Sequence, residues 1–260
     1  MRFVQVAGVL GVLAMVSLVG ARPDKPEFLI AAASDLRFAM EEIAGQFQLE
    51  HPEVAVKTIY GSSGHFLAQI QYGAPFDIFC SADMAYPRKL VDSGLALPGS
   101  EFLYAVGHLV VWVPAASRLN LERDGVKALL DPSVVHISIA SPEHAPYGVA
   151  AVAAMRSLGV YDAVRAKLVY GDNVSQALQY VQSGSADIGI VSLSLAVSPM
   201  AKGKGRYWEV PLSAYPKMEQ GGVITKWTEH EDIARAFRIF VLGDMSRGVF
   251  QSYGFSAPKK

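Results

Sequence analysis

Ala31-Ala32-Ala33-Ser34-Asp35-Leu36 and Gly61-Ser62-Ser63-Gly64 are the two stretches of this chain that decide its fold. Each comes directly after a strand-like apolar run, at residues 28–30 and 54–60, and each is followed by a run with helical spacing. A strand, a small-residue turn and a helix that recur in this order predict a parallel sheet flanked by helices.

The same two turns indicate an anion site. A helix N-terminus leaves backbone N–H groups unpaired and carries a partial positive charge. A serine hydroxyl at that point adds a neutral donor. Taken singly, each turn is more typical of ordinary helix capping. Side by side, the two turns favour a site that binds one small oxyanion without arginine or lysine.

The pattern recurs in the second half of the chain. Ala145-Pro146-Tyr147-Gly148 and Gly171-Asp172-Asn173-Val174-Ser175-Gln176 each follow a predicted strand and open a predicted helix, with Asn173 as an N-cap. No flexible linker separates the halves. The sequence therefore predicts two α/β lobes that face each other across a cleft, with the ligand beyond the carboxyl ends of the strands.

The element boundaries follow from hydrophobic periodicity. The predicted strands are 28–32, 54–60, 78–81, 102–113, 135–140, 167–170, 188–191, 207–210 and 222–227. The predicted helices are 35–50, 66–72, 82–93, 148–158, 174–183, 193–196, 232–242 and 247–253. Gly94 is predicted to end one helix, and Thr228-Glu229-His230-Glu231 is predicted to start another as a capping box.

Composition narrows the function classes. The chain has 260 residues, 51% of them hydrophobic and 18% charged, with a formal net charge of -1. It can bury a sizeable core, and it lacks the basic balance of a nucleic-acid-binding protein. The single cysteine, Cys80, excludes an intramolecular disulfide and is predicted to be a buried structural thiol.

The N-terminus is typical of a secretory signal peptide. Arg2 precedes an apolar run over residues 4–19, and small residues end it at Ala21. A membrane anchor is the alternative, but the run is short of the roughly 20 residues that a spanning helix needs. We expect cleavage near Ala21 and a periplasmic protein, consistent with the lack of disulfides.

Several motifs resemble those of one family, the periplasmic molybdate-binding proteins. The first-half motifs that carry the resemblance are Ala31-Ala32-Ala33-Ser34, Gly61-Ser62-Ser63-Gly64, Gln69-Ile70, Gly73-Ala74-Pro75-Phe76-Asp77-Ile78-Phe79 and Ser81-Ala82-Asp83. Those of the second half are Ala145-Pro146-Tyr147-Gly148, Asn173-Val174-Ser175-Gln176-Ala177-Leu178, Ser183-Gly184 and Asp187-Ile188-Gly189-Ile190-Val191.

This resemblance implies a two-lobed type II periplasmic-binding-protein fold, each lobe a mixed sheet flanked by helices. Residues 1–21 are then the signal peptide, 22–105 and 222–260 form lobe I, and 106–221 form lobe II. The expected function is to capture molybdate or tungstate and to deliver it to the membrane permease of an ABC importer. The protein is expected to be a monomer without a cofactor, and to close about hinges near 104–107 and 219–223.

The resemblance also implies the ligand contacts. The hydroxyls and amides of Ser34 and Ser63 hold oxygens from lobe I, and the amides of Tyr147 and Val174 do so from lobe II. These residues contact the oxyanion and are not direct metal ligands. Many members have a tyrosine donor where this chain has Ser192, so a contact from Ser192 stays open.

Two carboxylates, Asp35 and Asp172, leave the identity of the ligand undecided. Asp35 stands where many members have an apolar residue, and a carboxylate aimed at a dianion repels it. We expect Asp35 to face away as a first-turn helix acid, and treat Asp172 with the same caution. If either reaches the ligand, it can accept a proton from an anion such as hydrogen phosphate. Sulfate, phosphate or an organic anion lined by Tyr104, Tyr147 and Tyr215 therefore stay as alternatives.

A cleft enzyme is the remaining alternative. Neither Ser34 nor Ser63 lies in a Gly-x-Ser-x-Gly turn, and the six histidines show no metal-ligand spacing. His65 and His144 adjoin the predicted turns. A place at the cleft mouth is one interpretation of each, and an ordinary surface histidine is the favoured one. The sequence predicts a binding protein, not an enzyme.

Overall fold

The computed structural model describes residues 25–258, and two five-stranded sheets form its framework. The strands are β1 (Glu27–Ala33), β2 (Ala55–Gly61), β3 (Ile78–Ser81), β4 (Phe102–Gly107), β5 (Leu109–Pro114), β6 (Ile137–Ala140), β7 (Leu168–Gly171), β8 (Ile188–Ser192), β9 (Gly205–Glu209) and β10 (Met218–Ile224). The α-helices are α1 (Arg37–Glu50), α2 (Ser63–Gln71), α3 (Ala85–Asp92), α4 (Leu121–Asp124), α5 (Pro146–Ser157), α6 (Tyr161–Val164), α7 (Val174–Gln182), α8 (Leu193–Ala196), α9 (Glu231–Leu242) and α10 (Asp244–Ser252). Short 3-10 turns lie at Ser34–Leu36, Gly125–Leu130, Arg165–Lys167 and Leu212–Ala214.

The first sheet has the order β2-β1-β3-β10-β4. Strands β1, β2 and β3 are parallel, and β10 runs antiparallel to β3 and β4. Ala33 at the end of β1 is in register with Gly61 at the end of β2. This register brings the two small-residue turns side by side, as the sequence predicts.

The second sheet repeats the arrangement with the order β7-β6-β8-β5-β9. Its parallel strands β6 and β7 end together, with Ala140 opposite Gly171. Both sheets are mixed and flanked by helices, which confirms the predicted two-lobed α/β fold.

The core of the first lobe lies under α1. The apolar side chains on one face of this segment are buried, namely Leu36, Met40, Ile43, Ala44 and Phe47. Phe47 meets Phe237 of α9 edge to face, with ring centroids 5.0 Å apart, a favourable aromatic geometry. Cys80 is fully buried, as predicted, and burial raises the pKa of its thiol.

The chain passes between the sheets twice. The strand predicted over residues 102–113 is broken at His108, with β4 in the first sheet and β5 in the second. The return lies between the end of β9 at Glu209 and the start of β10 at Met218. All of β10 belongs to the first sheet, so the predicted boundary between residues 221 and 222 falls inside this strand.

Strand β10 begins at Met218, so the predicted start at residue 222 is wrong. The two glycines at the predicted boundary are explained by packing. Gly221 and Gly222 are strand residues, not a turn. A side chain at either position would collide with Met84 or Phe102, so the backbone needs glycine for close packing.

Helices α2, α3 and α10 each begin three residues away from the predicted start, at Ser63, Ala85 and Asp244. Helix α3 begins at Ala85, because the Asp83 carboxylate accepts a hydrogen bond from the Ala85 amide at 2.7 Å. The capping box at Thr228 is absent, and α9 begins at Glu231 without a side-chain cap. The Thr228 hydroxyl instead donates to Asp77 at 2.6 Å. The predicted helix end at Gly94 is confirmed by its φ of +65°.

Between residues 25 and 258, no helix is both long enough and apolar enough to cross a membrane. The predicted signal peptide at 1–21 lies outside the described residues.

Candidate functional site

A small cavity lies where the four predicted turns converge between the two sheets. Its lining comes from the ends of β1 and β2 and from the N-termini of α2, α5 and α7, with one residue that follows β3. The lining residues are Ala33, Ser34, Asp35, Gly61, Ser62, Ser63, Ala82, Ala145, Pro146, Tyr147, Asn173 and Val174. The space between its atoms is about 190 Å³, including space open to solvent.

Four of the five predicted contact residues line this cavity. Ser34 and Ser63 reach it from the first lobe, and Tyr147 and Val174 reach it from the second. All four are buried.

Ser192 is not among the lining residues. It is the N-cap of α8, where its hydroxyl oxygen accepts a hydrogen bond from the Leu195 amide at 3.3 Å and lies 3.1 Å from the Ser194 hydroxyl oxygen. The hydroxyl is therefore engaged within its own turn, which accounts for its position away from the cavity.

The three helix N-termini each leave one backbone amide for a ligand. In α7, the Asn173 side chain accepts hydrogen bonds from the amides of Ser175 and Gln176, both at 3.1 Å. That capping confirms the predicted N-cap, and it leaves the backbone amide of Val174 available to a ligand.

The N-terminus of α5 also leaves one backbone amide available, although no side chain caps it. Pro146 has no N–H, and the amide of Gly148 donates to the carbonyl of Ala145 at 2.9 Å. The amide of Tyr147 is left at the cavity.

In α2, the cap is Ser62, whose hydroxyl accepts from the His65 amide at 3.4 Å. The Gly64 amide donates to the carbonyl of His144 at 2.9 Å. The backbone amide of Ser63 is therefore available to a ligand. Three such amides, one from each helix, lie around the same cavity.

The cavity lining contains no arginine or lysine and one carboxylate, Asp35. Asp35 lies in the first turn of the 3-10 helix Ser34–Leu36, as expected, and it also lines the cavity. That its carboxylate faces away from the ligand stays a prediction. The side chain is buried, because the 3-10 turn at Ser34–Leu36 precedes α1 and lies between the lobes. Burial raises the pKa of this carboxyl to about 6, although its hydrogen bond with Gln220 acts in the opposite direction.

Asp35 belongs to a buried polar group with Gln220 and Tyr147. The Gln220 amide donates to Asp35 Oδ2 at 2.6 Å and to the Tyr147 hydroxyl at 3.2 Å. Within residues 25–258, neither Asp35 Oδ1 nor Gln220 Oε1 has a hydrogen-bond partner. Gln220 was missed by sequence reasoning, since it lies within β10 and no local pattern singles it out.

The contacts around the cavity hold the two lobes together. Across the cleft, the Ser175 hydroxyl donates to the Ser34 carbonyl at 3.0 Å, and the Ser194 hydroxyl donates to the Asp35 carbonyl at 2.8 Å. These bonds join the two lobes directly, so the structure is that of a closed cleft.

Asp172 lies at the mouth of the cleft, outside the cavity lining. Its carboxylate is 3.3 Å from His65 Nδ1 and 3.9 Å from His144 Nε2. The two imidazole rings, one from each lobe, stack with centroids 4.0 Å apart. His65 and His144 lie at the cleft mouth, which was the less favoured interpretation, and they contact each other across the cleft. We call His65, His144 and Asp172 the cleft-mouth cluster.

Comparison with known proteins adds an independent finding. The sequence model for a family described as bacterial extracellular solute-binding proteins matches residues 28–256. The molybdate-binding protein ModA of Rhodobacter capsulatus is 36% identical over 229 residues, which cover 88% of each chain. ModA of Azotobacter vinelandii is 34% identical, with coverage of 92% of this chain and 93% of that relative.

A solved structure agrees with these relatives. The periplasmic molybdate-binding protein of Azotobacter vinelandii superposes with a TM-score of 0.83 at 35% identity, covering 89% of this chain and all of the other.

Proposed function

This chain belongs to the family of bacterial extracellular solute-binding proteins, and from that premise we propose that it captures molybdate or tungstate and delivers the anion to an ABC importer. The observation that carries the proposal is the convergence of three helix N-termini on one cavity that arginine and lysine do not line.

The donor set suits a fully ionised tetrahedral dianion. The amides of Ser63, Tyr147 and Val174 and the hydroxyls of Ser34 and Ser63 are neutral donors on rigid elements. Hydrogen bonds to an ionised acceptor are about twice as strong as those between neutral groups. Fixed donors retain the anion without a counter-charge, which permits its release when the lobes separate.

The cavity volume distinguishes the alternatives. Pockets for larger organic ligands measure about 300–1,000 Å³, whereas this cavity offers only about 10 Å³ to the centre of a water-sized sphere. A single inorganic oxyanion therefore suits the closed cleft better than an organic anion. Together with relatives named for molybdate, this argues against sulfate or phosphate as the principal ligand.

The remaining parts of the proposal concern transport. The protein is exported to the periplasm as a monomer after cleavage near Ala21, and it binds its ligand without chemical change. The lobes rotate about the two crossings between the sheets, at His108 and over residues 210–217, which adjoin the hinges predicted near 104–107 and 219–223. The membrane permease then contacts surfaces of both lobes that only closure brings together.

Thermal unfolding with molybdate, tungstate, sulfate and phosphate at equal concentrations tests the ligand. A ligand at 100 times its Kd stabilises the folded state by about 2.7 kcal/mol. We expect a large rise in the unfolding midpoint with molybdate and tungstate and little change with the other two. A shift with sulfate or phosphate alone would reassign the ligand, and no shift at all would overturn the proposal.

A further inference from the structure

We propose that the cleft-mouth cluster is a binding site for one divalent transition-metal ion, Zn²⁺ foremost, that bridges the two lobes in the closed state. The cluster consists of His65, His144 and Asp172. Two imidazole nitrogens and one carboxylate oxygen form a common set of three protein ligands for Zn²⁺, with water in the fourth position.

The ligand atoms are already close together. The three candidate atoms all lie within 4.8 Å of one another. Zn²⁺ binds nitrogen and oxygen at about 2.0–2.2 Å, so its ligand atoms lie roughly 3.3 Å apart in a tetrahedral site. The His65–Asp172 pair has this separation, at 3.3 Å, and the His144–Asp172 pair, at 3.9 Å, must approach by about 0.6 Å. The nitrogens of the two histidines lie within 4.8 Å and must also approach each other.

His144 is oriented for this role by a residue of the opposite lobe. Its Nδ1 is 3.1 Å from the hydroxyl of Ser62, and its Nε2 is directed toward Asp172. Metal-bound histidines usually engage their second ring nitrogen in such a hydrogen bond, which orients the ring and selects the tautomer.

The side chains have the freedom that metal binding needs. The side chains of His65 and Asp172 are 47% and 48% exposed, and His144 is 21% exposed. Binding tilts the two rings out of their stack so that both nitrogens point at one ion. The open side of the cluster faces solvent and leaves room for the water ligand.

The position of the cluster ties the metal to closure. His65 lies on α2 of the first lobe, whereas His144 and Asp172 precede α5 and α7 of the second. Beside them the Gly64 amide donates to the His144 carbonyl at 2.9 Å, so the ligands assemble only when the lobes are in contact.

Zn²⁺ and the cavity anion therefore favour the same closed state, and each raises the affinity for the other by the same factor. This coupling rests on the proposed function, whereas the metal site itself does not.

Calorimetric titration of chelator-treated protein with ZnCl₂, with and without saturating molybdate, tests the site. We expect one equivalent of Zn²⁺ to bind, more tightly with molybdate present. His65→Ala and His144→Ala should abolish this binding, and Asp172→Asn should weaken it at least tenfold. His136→Ala, which removes an exposed histidine outside the cluster, is the matched control and should bind Zn²⁺ normally.

The variants remain informative if folding changes, because each is also melted with molybdate, and a normal midpoint shift shows an intact fold. Co²⁺ gives a second readout through the visible absorption of a tetrahedral site, which His65→Ala should remove. Absence of Zn²⁺ binding, or normal binding in both histidine variants, would overturn the metal site.

Two further outcomes separate this inference from the proposed function. Stoichiometric Zn²⁺ binding that molybdate does not strengthen would overturn the bridging role. A wild-type protein that binds Zn²⁺ through the cluster but binds no oxyanion would support the metal site and refute the proposed function.

Discussion

At the residue scale, Asp35 has the greatest effect on the chemistry of the cavity. It is a buried carboxyl beside a space built for an anion, and its pKa is raised from 3.8 to about 6. A dianion in the cavity tolerates this side chain only in its neutral form, since two like charges in a buried site repel strongly. In that form the unpartnered Oδ1 can carry a proton.

The raised pKa predicts how stability depends on pH. Between pH 3.8 and about 6, the folded protein retains a proton that the unfolded chain releases. This contribution to the free energy of unfolding is therefore present at low pH and is lost as pH rises through about 6. It amounts to roughly 3 kcal/mol in all, because a tenfold change in proton affinity corresponds to about 1.4 kcal/mol. Asp35→Asn should remove this dependence.

Urea unfolding of the anion-free wild type and of Asp35→Asn between pH 4 and pH 8 measures the difference. The variant should gain stability relative to the wild type as pH rises. Parallel pH profiles would show that the carboxyl titrates normally in the folded state.

Anion binding should be coupled to the same proton. We expect molybdate affinity to fall by up to tenfold per pH unit above about pH 6, because the carboxyl must be protonated for the dianion to bind. Titrations at pH 6–8 in buffers of different ionisation enthalpy measure the proton taken up. Asp35→Asn should remove the uptake, whereas Asp162→Asn, which changes an exposed carboxylate outside the cavity and the cleft-mouth cluster, should retain it.

The serine hydroxyls differ in their predicted roles. Ser34→Ala and Ser63→Ala each remove a hydrogen bond to a charged ligand, worth about 1.5–3 kcal/mol, so molybdate affinity should fall roughly 10- to 100-fold. Ser192→Ala should leave the affinity within about twofold and cost about 1 kcal/mol of stability through loss of a helix cap. Calorimetry measures the affinity and thermal melts measure the stability. A tenfold loss of molybdate affinity in Ser192→Ala would contradict the prediction that Ser192 does not contact the ligand.

At the element scale, the site depends on helix starts and not on long side chains. The cap of α7 shows this, because the Asn173 side chain engages two amides and leaves that of Val174 for the ligand. The parallel register that aligns Ala33 with Gly61 places two further turns at the same sheet edge.

Removing the cap of α7 should therefore affect both stability and binding. Asn173→Ala should lower stability by about 0.5–2 kcal/mol and weaken molybdate binding, because the uncapped helix start loses its orientation. The matched control is Asn120→Ala, which removes a similar cap from α4, where Asn120 accepts from the Arg123 amide at 3.1 Å. The control should lose stability only, and an equal loss of affinity in both variants would refute a local effect.

At the scale of the whole molecule, function depends on contact between the lobes. Gly64 lies at this contact, and a Cβ atom there would stand 2.7 Å from the carbonyl oxygen of His144 in the opposite lobe. The position tolerates a side chain within its own lobe, because its φ is not in the left-handed region. The lack of a side chain therefore matters for closure.

Gly64→Ala should impair closure without unfolding the protein. We expect molybdate affinity to fall at least tenfold while the midpoint of the anion-free protein changes little. Gly45→Ala provides the control, since Gly45 is also helical and a Cβ there meets nothing within 4 Å. Small-angle scattering with and without molybdate should show reduced compaction in Gly64→Ala, whereas wild-type compaction and affinity would contradict the closure argument.

Local patterns in the sequence were sufficient to predict the alternating strands and helices, the burial of Cys80, the cap at Asn173 and four of the residues that line the cavity. These properties depend on neighbours a few positions away, since capping, periodicity and turn chemistry are short-range effects. Ser34 and Ser63 were identifiable because each stands where a strand ends and a helix begins.

Tertiary structure alone decided which distant groups meet. Asp35 and Gln220 are separated by 185 positions in the sequence and are joined by a hydrogen bond between their side chains. Neither the burial of the Asp35 carboxyl nor its raised pKa therefore has a signal in the neighbouring sequence. The break of one long apolar run at His108 into strands of two sheets, and the meeting of His65 with His144, depend equally on how the lobes pack. Long-range pairing is set by the sum of many contacts over the whole chain, and no short stretch of sequence contains that information.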